Sequence, residues 1–99
     1  MPIRSKPRKF NKENISNAPD DIGVYSLRSR RGTTTYIGRS KDEDGIKGRL
    51  QDAKRKPRGR SADSFQAERS KHPAKREKQL LEQYKKKYGR LPYYNDRIG

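Results

Sequence analysis

The apolar residues of this chain are gathered into three stretches, Ile22 to Ile37, Ile46 to Ala53 and Leu80 to Tyr94. Any fold it adopts must bring those three together. Hydrophobic residues make up only 26% of the 99, so one thin core and one domain are the most such a chain can build. Charge this high with apolar content this low borders on the composition of disordered chains. The placement of the apolar residues, not their number, argues for a fold.

Residues 22–38 alternate strand-favouring types, Val24, Tyr25 and Leu27 before the turn and Thr33 to Ile37 after it. They read as a β-hairpin turning at Arg30, Arg31 and Gly32. Residues 39–45 read as a loop. Ile46, Leu50 and Ala53 recur at helical spacing, so residues 46–54 form a short helix. Arg49 stands about 60° from Ile46 around that axis, on the flank of the buried face. Residues 55–62 read as a basic loop, and residues 64–70 as a third strand with Phe65 and Ala67 inward. Residues 73–88 form the longest helix, with Pro73 at its first position and Gly89 at its stop. Its expected apolar stripe is Ala74, Leu81, Tyr84 and Tyr88. Leu91, Tyr93 and Tyr94 argue that the tail packs back onto the body. Residues 1–21 have little periodicity and carry Arg4, Lys6, Arg8 and Lys9, which predicts a basic, flexible arm before a domain at 22–99.

The formal net charge is +15. Such an excess gathers polyanions. There is no Trp, and no wide apolar face backs the basic segments, so nucleic acid is a better match than a membrane surface. No Cys is present, which removes disulfides and thiolate zinc sites, and one His, His72, leaves little room for His–metal chemistry. No apolar run is long enough to cross a membrane and none follows the basic N-terminus as a leader would, so a cytoplasmic protein is expected.

Gly23, Val24 and Tyr25 precede Tyr36, Ile37 and Gly38, with eleven residues from one tyrosine to the other. In these tripeptides the chain resembles the GIY-YIG nuclease family. The likeness continues in order. An Arg on the following helix corresponds to Arg49, a metal-binding Glu on a later helix to Glu82, and an Asn after a Tyr to Asn95. It covers residues 22–96. The loop before Arg49 is longer than in many relatives by Asp42 to Gly45, which bears on substrate preference.

The resemblance implies an α+β fold with a small three-stranded antiparallel sheet flanked by helices. It also implies a stand-alone endonuclease that hydrolyses phosphodiester bonds, with DNA favoured, using one Mg²⁺ or Mn²⁺ ion. Glu82 would supply a hard oxygen ligand. Glu77 is the rival carboxylate, about 140° away around the helix, and the family order selects Glu82. Arg49 would clamp the scissile phosphate. Tyr25 is the expected base for water and Tyr36 its partner, though the two roles are exchangeable, because an ordinary phenol near pKa 10 needs help from nearby cations. Gly23 and Gly38 suit close backbone approach, and Asn95 would fix the site by hydrogen bonds. Arg39, Lys41, Lys54, Arg55, Lys56, Arg58 and Arg60 are the expected phosphate contacts. Targeting would fall to a partner protein or a homodimer. Two further readings share the charge but not the motif order: a nucleic-acid-binding module without catalysis, and a ribosome-associated or structural basic protein.

Overall fold

The computed structural model describes residues 3, 5–40 and 45–95. The chain order is β1 (Arg8–Lys9), α1 (Lys12–Ser16), β2 (Gly23–Arg28), β3 (Thr34–Arg39), α2 (Gly45–Ala53), α3 (Pro57–Arg60), β4 (Ser64–Arg69) and α4 (Pro73–Tyr88). The class is α+β, as expected. The sheet has four strands rather than three, all antiparallel, in the order β1-β4-β2-β3.

The hairpin forms where alternation predicts it. Gly32 turns it at φ 83°, a left-handed value that glycine adopts without cost. Cross-strand partners share a face, so the registers Tyr25↔Gly38, Leu27↔Tyr36 and Leu27↔Phe65 define one side of the sheet, and Val24↔Arg39, Ser26↔Ile37 and Val24↔Glu68 the other. The first side is covered by α1 and α2, through a cluster that includes Phe10, Ile15, Leu27, Ile46, Leu50 and Phe65. The second is covered by α4, through Val24, Ile37, Leu80 and Leu81. On α2, Ile46, Leu50 and Ala53 are fully buried, as their spacing requires.

Three expectations are corrected. First, the N-terminal segment is no free arm. Asn11 caps α1 by accepting a hydrogen bond from the Asn14 amide at 2.8 Å. Phe10 meets Phe65 edge-on at 5.9 Å, and β1 pairs with β4, so residues before 22 complete both the sheet and the core. Isolated apolar residues in a polar stretch gave no period to read. Second, part of the basic loop is a helix, α3, started by Pro57. Third, α4 has the expected bounds and its Gly89 stop at φ 78°, but Ala74 and Tyr88 are exposed and the buried pair is Leu80 and Leu81. The tail packs back onto the body as expected, through Leu91, a buried Pro92 and the Tyr94 amide donating to the Thr35 carbonyl at 2.9 Å, while Tyr93 points to solvent.

Candidate active site

Gly38 is the hinge of the site. A Cβ there would lie 2.7 Å from the ring carbon Cζ and the hydroxyl of Tyr25, and 2.7 Å from a ring carbon of Tyr36. Only a residue without a side chain lets the two phenols meet, with ring centroids 6.0 Å apart. They are diagonal neighbours, not directly opposed: Tyr25 lies across from Gly38 and Tyr36 across from Leu27.

Two guanidinium groups join them. Arg49 comes from the half-buried flank of α2. Arg58 comes from α3 and lies over the Tyr36 ring at 4.5 Å. The short helix is held against α2 because the next residue is Gly59, where any Cβ would collide with the Ala53 carbonyl oxygen. Tyr25 Oη, Arg49 Nε and Arg58 Nε are all buried, and none has a hydrogen-bond partner among the described residues. Burial pushes the Tyr25 phenol up from 10.0 to about 12, with the neighbouring Tyr36 adding to the rise; Arg49 and Arg58 pull the other way and lose. Arg58 stands near enough to the Tyr25 hydroxyl to favour its phenolate, without the geometry of a completed hydrogen bond. Tyr25 is therefore a protonated donor at neutral pH in the metal-free protein, and the rise runs against its expected role as base.

The part-buried carboxylate that feels the Arg49 charge is Glu77, across β3 from the phenols, while Glu82 is exposed. Glu77 Oε1 sits 3.6 Å from Arg39 Nη1, with 13% of its side chain exposed. Burial raises its pKa above the ordinary glutamate value, while Arg39 and then Arg49 oppose the rise. The charge of Arg49 thus acts on both Tyr25 and Glu77. The group straddles edge strand β3, with the phenols on the α2 side and Arg39 and Glu77 on the α4 side. Glu82 is exposed and borders a shallow depression with Glu68, Arg76, Gln79 and Gln83. The reason is helical phase: Glu77 precedes the buried Leu80 and Leu81 by three and four residues and so shares their face, whereas Glu82 directly follows them and turns away. That signal was available in the sequence once Leu80 and Leu81 were taken as the stripe.

Asn95 makes a two-point contact with β3, accepting from the Ile37 amide and donating to the Ile37 carbonyl, each at 2.9 Å. It pins the tail to the sheet edge by backbone contacts. Gly23 lets β4 come close, since a Cβ there would strike the Glu68 carbonyl oxygen. Of the expected phosphate contacts, Arg39 and Arg58 lie in the site. Lys54, Arg55, Lys56 and Arg60 are exposed around it, with Lys56 paired to Asp52 at 3.4 Å. Lys41, like the acidic turn at Asp42 to Asp44, falls outside the described residues. His72 is exposed at the start of α4. Among the described residues no three His, Cys, Asp or Glu side chains gather as a metal cage, and no helix is long and apolar enough to cross a membrane.

Residues 1–87 match a family described as a domain of unknown function, DUF7508. The chain belongs to the DUF7508 family. Its match takes in β1 and α1 as well as Tyr25, Tyr36, Arg49, Arg58 and Glu77, in keeping with an N-terminal segment that is part of the domain. Among curated proteins and solved structures, none matches the chain. The DUF7508 description states no activity, so function is argued from the site.

Proposed function

We propose that this domain is a divalent-metal-dependent phosphodiester hydrolase of the GIY-YIG type acting on nucleic acid, with DNA the favoured substrate. The observation that carries the reading is the cluster of Tyr25 Oη, Arg49 Nε and Arg58 Nε, three buried polar atoms without a hydrogen-bond partner among the described residues. Orphaned buried donors cost about 1–3 kcal/mol each, and a phosphate oxygen is the acceptor they lack. The order of tripeptides and Arg agrees with that family; its Glu position falls on Glu82, whereas Glu77 is the carboxylate that the Arg49 charge reaches.

One carboxylate without a cage fits Mg²⁺ or Mn²⁺ held partly by water and by the substrate's own phosphate. When bound, such an ion acts as a Lewis acid and stabilises the leaving oxygen. Glu77 would hold it, displacing the Arg39 contact. Arg49 and Arg58 bind the phosphate and offset the charge that builds on it. Tyr25 donates its hydroxyl hydrogen to a phosphate oxygen. Tyr36, partly open to solvent, orients the attacking water and accepts its proton as its own passes to solvent. The water oxygen bonds to phosphorus and the bond to the sugar oxygen breaks, and that oxygen takes a proton from solvent.

The Arg39–Glu77 ion pair favours a second reading, a binding module without catalysis, because it occupies the carboxylate that the described residues bring to the site. A plasmid-nicking assay with Mg²⁺ and with Mn²⁺ separates the two. Under the hydrolase reading Glu77→Gln abolishes cleavage but keeps nucleic-acid binding, Glu82→Gln cleaves like the parent, and Arg49→Ala loses about 10²–10³ in kcat. Binding without cleavage under either metal, or cleavage that survives Glu77→Gln, overturns it.

A further inference from the structure

A groove of about 510 Å³ opens on the α4 side of the sheet, at the hairpin-turn end and away from Tyr25. Its walls combine cations and exposed rings. Arg28, Lys87 and Arg90 line it, together with Thr34, Tyr84 and Tyr88. The two tyrosine rings are 4.5 Å apart, and Tyr88, 56% exposed, is the outer one, with Lys87 Nζ 5.3 Å over its face. Arg28 Nη2 donates to the Gly32 carbonyl at 2.7 Å, while Arg28 Nε is buried without a partner among the described residues. Tyr88 and the three cations thus present a ring face and positive charge together to whatever enters the groove.

We propose that this groove binds an unpaired stretch of nucleic acid, a base stacking on Tyr88 and the adjoining phosphates meeting Arg28, Lys87 and Arg90. Alternating aromatic and cationic groups are what single strands need, since every base offers a ring face and every linkage a charge. The inference rests on the proposed hydrolase reading for one further point, the relation of groove to site. The helix α4 runs beside β3, tied by Arg39–Glu77 at one end and by the Tyr84 hydroxyl donating to the Thr34 carbonyl at 3.3 Å at the other. From Glu77 to Tyr88 is about 16 Å along the helix, a span that a few nucleotides of one strand can bridge. A substrate reaching from one to the other would be a duplex with an unpaired tail or flap.

The test is fluorescence anisotropy with labelled oligothymidylate and, separately, a labelled blunt duplex, with divalent cations chelated so that no cleavage intervenes. Tyr88→Ala should weaken single-strand binding about ten-fold and leave duplex binding unchanged. Tyr88→Phe should restore it, because stacking needs the ring and not the hydroxyl. Tyr88 is exposed, so neither variant threatens the fold. Unchanged single-strand affinity in Tyr88→Ala, an equal loss on duplex, or failure of the Phe variant to restore binding overturns the inference. Cleavage is read apart from this. A protein that never cuts but loses single-strand binding in Tyr88→Ala keeps the groove and loses the hydrolase; one that cuts with no effect of Tyr88→Ala does the reverse.

Discussion

At Tyr25 a hydroxyl is buried with nothing among the described residues to receive its hydrogen, and the fold bears that cost. Tyr25→Phe should therefore melt at or above the parental Tm while losing cleavage, a separation that a purely structural aromatic would not give. The alkaline titration checks the same point. The folded phenol ionises at about 12 and the unfolded one near 10.0. The folded state is thus fully favoured below pH 10, and that contribution, about 2–3 kcal/mol, is lost as pH rises through about 12. Tyrosinate absorbance should show a late step that Tyr25→Phe lacks. Gly38→Ala puts a methyl 2.7 Å from both rings. It should cost about 1–3 kcal/mol in chemical denaturation and abolish cleavage by parting the phenols.

The helix α4 sets which carboxylate the site receives. Glu77 shares the face of Leu80 and Leu81 and is carried against the sheet, where burial outweighs Arg39 and Arg49. In the metal-free protein the Glu77 carboxyl should accordingly take up its proton at a pH above the ordinary glutamate value. Arg39 is the larger of the two opposing cations, so Arg39→Ala should move that titration to still higher pH. Glu82→Gln should leave it in place. A carboxyl NMR titration of the three proteins without divalent cations reads all of this.

For the molecule as a whole, the thin core makes the N-terminal residues essential. Phe10 closes the cluster over Phe65 and Leu27, and β1 covers the outer edge of β4. Phe10→Ala should cost about 3–5 kcal/mol in urea unfolding, a large share of the roughly 5–15 kcal/mol that holds a domain together. Deleting residues 1–10 should leave no cooperative transition.

The hairpin, α2, β4 and the bounds of α4 were legible in the residues because period and punctuation are local: alternation up to Gly32, a repeat at Ile46, Leu50 and Ala53, and Pro73 and Gly89 at the ends. The resemblance in Tyr25, Tyr36, Gly38 and Arg49 was legible for the same reason, as short motifs in order. Ile3, Phe10 and Ile15 carry no period, and only packing made them core. Nothing local marks Arg58 among so many cations; contact with the Tyr36 ring did. That Leu80 and Leu81 are the face α4 turns to the sheet, carrying Glu77 inward and Glu82 out, and that burial raises the Tyr25 phenol, were decided by how the elements pack and exclude water, and both depend on residues distant in the chain.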